Sequence, residues 1–97
     1  MRMEDLDTPA LILYLDGLED NLNRYQRYFD EHSIGLRPHV KTHKCLAIAH
    51  MQMQKGAMGI TCQKLGEVEV MVAGGITGDV LVPYNIVGRQ KLERLAA

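Results

Sequence analysis

Ionisable side chains are concentrated in the stretch LRPHVKTHK, residues 36–44, which holds one arginine, two histidines and two lysines. The surrounding pattern nevertheless predicts a buried strand. A lysine amine in a partly desolvated pocket beside other cations has a lowered pKa and attacks aldehydes to form a Schiff base. The stretch therefore indicates chemistry on a carbonyl group. The alternative is an ordinary solvated lysine at the end of a strand.

Strand geometry singles out one of the two lysines. Side chains alternate between the faces of a strand, which places Arg37, His39 and Lys41 on the same face. Leu36 and Val40 then face the covering helices. Lys41 also ends the strand, and parallel α/β folds bind ligands at the carboxyl ends of their strands. We expect Lys41 to be the nucleophile, with Arg37 and His39 supplying positive charge and hydrogen-bond donors around it.

Strand-like and helix-like patterns alternate along the chain and must position this stretch. Pro38 lacks the N–H of a regular central strand, and we interpret it as a bulge beside the site. Asp16 and Glu19 have the spacing of a capping box at the start of the first helix. Apolar runs predict strands at residues 9–15, 34–40, 57–62 and 79–83, and helical spacing predicts helices at 16–33, 42–55, 63–73 and 88–97.

This order predicts a parallel sheet with crossover helices, either an open doubly wound sheet or part of a (β/α)8 barrel. A barrel needs roughly 250 residues. A chain of 97 residues would therefore hold only the first part of a barrel. The sequence also stops inside a helical pattern, so we expect a piece of a longer protein.

The composition argues against several classes of protein. Hydrophobic residues make up 46% of the chain, which is typical of globular domains. Lysine and arginine total 11 against 12 aspartates and glutamates, and this net charge of −1 gives no reason to expect nucleic acid or a membrane as partner. The acidic N-terminus lacks the apolar core of an export signal, and Cys45 and Cys62 lack framework spacing. We expect reduced thiols in a cytoplasmic protein.

Two histidines have the spacing of a metal pair. His39 and His43 are four residues apart, as helical metal ligands are. The predicted change from strand to helix falls between them, so they need not share a face. We expect His39 to lie beside Lys41, and His43 to lie near the start of the following helix.

Four stretches together resemble the N-terminal part of the D-threonine aldolase and D-serine dehydratase family: DTPALILYLD, LRPHVKTHK, GAMGITCQKLGEVEVMVAGGI and DVLVPYNIVG. These are fold-type III pyridoxal-phosphate enzymes with an alanine-racemase-like barrel, and the resemblance runs from about Asp7 to the end. It implies that residues 1–97 are the N-terminal part of such a barrel domain, which starts at Ile34. The first predicted strand would then belong to a second, β-rich domain. The resemblance also implies that Lys41 is the Schiff-base lysine, since Lys44 lies one turn into the next predicted helix.

The resemblance implies an activity for the whole protein. It would be a pyridoxal-phosphate-dependent lyase that cleaves β-hydroxy D-amino acids to glycine and an aldehyde, as D-threonine aldolase does. The alternatives are D-serine dehydratase-like deamination, or a pyridoxal-phosphate-binding or truncated piece without activity, and we expect the 97-residue chain alone to be inactive. A divalent metal is also implied, with ligands outside this chain, together with a homodimer.

Polar residues follow two further predicted strands. Gln63 follows the third strand, and its amide is a candidate contact for the cofactor ring or its phenolic oxygen. Tyr84 and Asn85 follow the fourth strand and are candidates for lining the same pocket at the carboxyl edge of the sheet. An ordinary helix start at Gln63 and an ordinary turn at Tyr84 are the alternatives.

Overall fold

The structure, a computed structural model that describes residues 2–97, alternates strands and helices only in its second half. In the first half one helix follows another, because the strand predicted at residues 34–40 forms a single bridge, from His39 to Thr61. Two short strands, each followed by a helix, form a parallel pair in which Gly59 lies opposite Asp79. After a short 3₁₀ turn, the elements are α1 (Leu15–Glu31), α2 (Leu46–Lys55), β1 (Gly59–Thr61), α3 (Leu65–Ala73), β2 (Asp79–Leu81) and α4 (Arg89–Ala96). No helix within residues 2–97 combines the length and apolar character that crossing a bilayer requires.

Residues 36–40, called the edge segment below, extend the sheet beside β1. Thr61 donates to the carbonyl of Pro38 over 2.8 Å, and Val40 donates back to the carbonyl of Thr61 over 2.9 Å. Met58 donates to the carbonyl of Leu36 over 2.9 Å. The donors Met58 and Thr61 are three residues apart while their acceptors are two apart, so the extra residue of this bulge lies between them, opposite Pro38, which has no N–H. The interruption expected at Pro38 is present.

The core lies between this sheet and helices α2 and α3. Val40 and Ile60 are fully buried and pack with Ala49 of α2 and Met71 of α3. Val40 therefore faces the helices, as strand alternation predicted. Gly56 ends α2 in the left-handed region at φ 115°, which suits a glycine after a helix. The parallel sheet with helical crossovers is present among the described residues.

The first predicted strand is wrong in this chain. Residues 9–14 form no strand, and Leu11 and Tyr14 are exposed. An apolar run becomes a strand only when a neighbouring strand takes its hydrogen bonds, and no segment within residues 2–97 pairs with it.

Two predicted helix starts are also wrong. Helix α1 begins at Leu15, so Asp16 lies in its first turn and does not cap it, although its charge still suits that end. Helix α2 begins at Leu46, four residues later than predicted, because the preceding residues form a turn. In that turn Lys44 adopts the left-handed region at φ 48°. A pattern of side-chain types does not reveal such a turn when the left-handed residue is not glycine.

Gly59 makes room for a contact that crosses β1. The guanidinium of Arg37 reaches from the edge segment and donates to the carbonyl of Asp79 in β2 over 2.9 Å. A Cβ on Gly59 would collide with that carbonyl oxygen and with Nη1 of Arg37. The absence of a side chain at Gly59 is therefore a packing requirement.

Replacing Gly59 with alanine is expected to lower the free energy of unfolding by about 1–3 kcal/mol, because the methyl group overpacks the space between Arg37 and β2. Urea unfolding followed by circular dichroism measures this change. The matched control is Gly66→Ala in α3, where an added Cβ meets no atom within 4 Å. Alanine favours a helix over glycine, so the control should be unchanged or more stable by about 0.5–1 kcal/mol. An equal loss in both variants would contradict the packing argument.

Candidate active site

Parallel pairing gathers three chain segments at one edge of the sheet. Val40, bonded to Thr61, leads into Lys41. Cys62 donates to the carbonyl of Leu81 over 2.9 Å, and the chain after Cys62 continues into Gln63. The structure therefore brings the Lys41 and Gln63 segments to the same carboxyl edge, where parallel α/β folds bind ligands.

Lys41 stands at this edge with its side chain exposed. Its backbone N–H donates to Nδ1 of His39 over 3.3 Å. Its amine has no ion-pair partner within residues 2–97. The desolvated pocket that we expected around this amine is not formed by the described part of the chain, because Lys41 begins a turn at the rim of the sheet. Its position matches the expected one, and its exposure does not.

Lys44 is bound differently. Its amine lies 3.4 Å from Oε1 of Glu67, whose side chain is only 8% exposed. The amide of Lys44 closes the turn by donating to the carbonyl of Val40 over 2.8 Å. Lys44 is thus outside the helix in which the sequence pattern put it. The two lysines of this stretch differ because one is held by a carboxylate and the other is not.

Glu67 is the residue of this edge that sequence reasoning missed. Burial raises the pKa of its carboxyl group. The Gln63 N–H, which donates to Oε2 over 2.7 Å, and the cations Lys44 and Lys64 outweigh burial and hold the pKa below its usual value. Glu67 is therefore an anion at neutral pH. Its position in the first turn of α3, where an acidic residue is favoured, was the available signal.

Both histidines of the stretch use Nδ1 as an acceptor for a backbone N–H. His43 accepts from Cys45 over 3.0 Å, as His39 does from Lys41. Burial lowers the pKa of His43, while the Gln52 side chain and the Cys45 N–H act in the opposite direction. Residues 2–97 contain no group of three or more histidine, cysteine, aspartate or glutamate side chains placed to hold a metal ion.

Arg37 lies at the other end of the sheet. Its guanidinium binds the carbonyl of Asp79 and lies 3.4 Å from the carboxylate of that residue, at the start of β2. The structure thus pairs Arg37 with Asp79 and not with the Lys41 turn. A contact between Arg37 and a cofactor stays a prediction.

Gln63 opens onto a cavity of about 330 Å³ that Tyr84 and Asn85 also line. These three residues share one cavity, but Lys41 does not line it, so their place beside the cofactor lysine stays a prediction. Oε1 of Gln63 is buried and has no hydrogen-bond partner among the described residues. An unpaired buried oxygen is costly, so a donor from a ligand or from water is expected there.

His39 opens onto a different cavity, of about 400 Å³, between α1, α2 and the edge segment. Gln26 and Gln52 line it as well, and each of these three side chains has a buried polar atom without a partner in residues 2–97. A polar cavity of this size is expected to hold ordered water. His39 and Gln63 therefore do not face a common cavity in this chain.

Comparison with known proteins identifies relatives that act on D-amino acids. The chain is 46% identical over 90 residues to a D-threonine aldolase from Arthrobacter sp., covering 93% of this chain and 24% of the relative. It is 45% identical over 81 residues to D-threo-3-hydroxyaspartate dehydratase from Delftia sp. strain HT23, covering 84% of this chain and 21% of the relative. No family model matches the chain.

Solved structures of similar enzymes also match this chain. The crystal structure of D-threonine aldolase from Filomicrobium marinum matches with a TM-score of 0.93 at 54% identity, over 97% of this chain and 25% of that one. A C353A mutant of D-threo-3-hydroxyaspartate dehydratase in the metal-free form matches with a TM-score of 0.85 at 38% identity, over 95% of this chain and 25% of that one. The chain is a homologue of D-threonine aldolase and the hydroxyaspartate aldolases and dehydratases.

The match confirms the family resemblance seen in the four sequence stretches. The chain spans about a quarter of the length of the relatives it matches, and it corresponds to the N-terminal part of the D-threonine aldolase structures. The β1–α3 and β2–α4 units are thus the α/β elements of a D-threonine aldolase homologue.

The two free cysteines are expected to differ in reactivity. Burial and, to a lesser extent, the negative charge of Glu67 raise the pKa of the Cys62 thiol, and Cys62 is fully buried, whereas Cys45 is partly exposed. In the folded chain Cys62 should react with a disulfide reagent at least about tenfold more slowly than Cys45, because the thiolate is the reactive form. A chromogenic thiol assay on the unmodified chain and on Cys45→Ala measures this. Equal rates in urea are the control, and equal rates in the folded chain would contradict the assignment.

The charge of Glu67 is expected to make stability depend on pH. Its folded pKa lies below the usual glutamate pKa of 4.5, so its charge contributes stability above about pH 4.5, and this contribution is lost as the pH falls through the folded pKa. At pH 7 Glu67→Gln should be less stable than the unmodified chain by on the order of 1–3 kcal/mol. Urea unfolding between pH 3 and pH 7 measures both proteins. A difference that stays constant down to pH 3 would contradict a charged Glu67.

Proposed function

We propose that this chain carries the cofactor lysine of a pyridoxal-phosphate-dependent lyase that acts on β-hydroxy D-amino acids. The observation that carries the proposal is the Lys41 amine. It is exposed, without an ion-pair partner in residues 2–97, at the carboxyl edge of parallel segments in a homologue of D-threonine aldolase. A lysine amine is the group that binds the aldehyde of pyridoxal phosphate, with loss of water.

Three residues near this edge are the proposed contacts for the aldehyde and ring of that cofactor, and His39 and Gln63 face separate cavities in residues 2–97. Lys41 offers the amine. Gln63 offers a buried amide with an unpaired oxygen, and His39 offers a buried Nε2 that also lacks a partner among the described residues. The phosphate needs further donors, which in barrels come from loops after the seventh and eighth strands. The whole protein would therefore complete a site of which this chain holds the lysine.

Pyridoxal phosphate, when bound, would supply an electron sink for negative charge at Cα of an amino acid. Aldol cleavage would break Cα–Cβ while a base takes the β-hydroxyl proton, and protonation of Cα would then give glycine beside the released aldehyde. Aldol cleavage is the first candidate because the structure of one D-threonine aldolase matches at 54% identity, although a second D-threonine aldolase matches at only 46%. Dehydration is the second candidate, because a hydroxyaspartate dehydratase matches at 45% identity. In dehydration, the Lys41 amine would take the proton from Cα.

A divalent metal belongs to the same proposal. A metal ion would act as a Lewis acid on the β-hydroxyl group. The metal-free form named for the dehydratase mutant supports a metal in that relative, and its counterpart here would use ligands outside this chain. A barrel fold, a homodimer, a cytoplasmic location and the inactivity of the isolated chain stay predictions.

Adding pyridoxal phosphate to the purified chain is expected to give a yellow species whose reduction by borohydride fixes the cofactor on Lys41. Visible absorption and peptide mass mapping measure this. Lys41→Gln should lower the adduct by at least about tenfold, because it removes the attacking amine. The matched control is Lys64→Gln, which removes another exposed lysine and should leave the adduct unchanged.

A longer protein that contains this segment separates the remaining outcomes. Adduct on Lys41 only in the longer protein would mean that other strands complete the site. Release of glycine and an aldehyde from D-threonine would then support aldol cleavage, and a keto acid with ammonia would support dehydration. Absence of an adduct on Lys41 in both proteins would remove the proposal.

A further inference from the structure

Two lysines lie three residues apart in one turn, and an aldehyde could react with either amine. Both side chains are exposed, with that of Lys44 at 59%. Exposure alone therefore does not decide between them. What differs is the partner of each amine: Lys44 lies 3.4 Å from Oε1 of Glu67, and Lys41 has no ion-pair partner in the described residues.

Glu67 connects two segments of the carboxyl edge. Its Oε2 accepts the N–H of Gln63, directly after β1, over 2.7 Å. Its Oε1 faces Lys44 in the turn that follows the edge segment. The carboxylate is almost fully buried, so its position is fixed by packing as well as by these two contacts. One buried anion thus joins the turn that carries Lys41 to the residue that carries the candidate amide.

We propose that Glu67 is a positioning residue that holds the Lys44 ammonium in an ion pair and so leaves Lys41 as the reactive amine of the turn. The proposal deepens the proposed function and rests on it for the cofactor. It also explains how Lys44 keeps its left-handed backbone at φ 48°, since the ion pair and the bond from its amide to Val40 hold the turn from both sides. Glu67 acts through Lys44 and touches no reacting atom.

The first test needs no cofactor and no variant. Trace labelling of the folded chain with an acylating reagent, read by peptide mass mapping, gives the relative reactivity of each lysine amine. Lys44 should label about three- to fivefold more slowly than Lys41, because reaction requires the amine to leave its carboxylate partner. Lys64 is exposed near Glu67 without an ion pair in residues 2–97, so it serves as the internal standard and should label like Lys41. Equal rates for Lys44 and Lys64 would overturn the proposal.

The variant Glu67→Gln tests whether the Glu67 carboxylate causes the slow labelling of Lys44. Labelling of Lys44 should rise about three- to fivefold, to the rate of Lys64, while Lys41 stays within about twofold. The matched control is Glu69→Gln on the same helix, which removes a carboxylate paired with Arg94 instead. The control should change neither lysine. Circular dichroism of each variant verifies that it is folded, and labelling of Lys44 that does not change in a folded Glu67→Gln would overturn the proposal.

An experiment with pyridoxal phosphate separates this inference from the proposed function. With pyridoxal phosphate and borohydride, the unmodified chain should carry its adduct on Lys41, and Glu67→Gln should move a measurable share to Lys44. If labelling of Lys44 rises in the variant but the adduct stays on Lys41 alone, Glu67 does not determine which lysine reacts. That result would overturn the proposal. Absence of an adduct in every protein, including the longer protein that contains this segment, would remove the proposed function, while the labelling result would still decide whether Glu67 holds Lys44.

Discussion

Parallel backbone pairing of the edge segment, β1 and β2 is the interaction on which the other features depend. The bonds between Val40 and Thr61 and between Cys62 and Leu81 align the carboxyl ends of three segments. Parallel neighbours need a crossover between them, and helices α2 and α3 supply it and bury one face. Chemistry-bearing residues far apart in sequence, such as Lys41 and Gln63, therefore reach one edge without any direct attraction between them.

A buried carboxylate is the costly element of this edge. Removing the charge of Glu67 from water is unfavourable unless hydrogen bonds and cations replace its hydration. The Gln63 N–H and Lys44 do so, and they belong to two different segments of the sheet edge. The same charge helps to keep the Cys62 thiol protonated. Burial of one anion thus links the order of the Lys41–Lys44 turn to the packing of α3.

The sequence allowed the order of most elements to be predicted, because apolar spacing and the stop at Gly56 act locally. Prediction from the sequence failed where the structure depends on a pairing partner or on a particular backbone conformation. The apolar run at 9–15 carries the same pattern as β1, yet it pairs with nothing in residues 2–97. A left-handed Lys44 has no signal in residue types. The sequence shows that Arg37 is charged but not which residue it binds. Its hydrogen bond to Asp79 across Gly59 depends on the strand register, which the sequence does not reveal.

The position of Lys41 was predictable for a related reason: the end of a parallel strand is a geometric location that periodicity alone indicates. The position of Lys41 does not decide between aldol cleavage and dehydration. An aldolase and a dehydratase match this chain at 46% and 45% identity, so the segment suits both. Both reactions develop negative charge at Cα and need the same electron sink. A cofactor lysine at the carboxyl edge, as proposed for Lys41, would serve this shared requirement. The residues that decide whether Cα–Cβ or Cβ–O breaks must act at the β-carbon and its hydroxyl group, and the same lysine edge can therefore accompany either outcome.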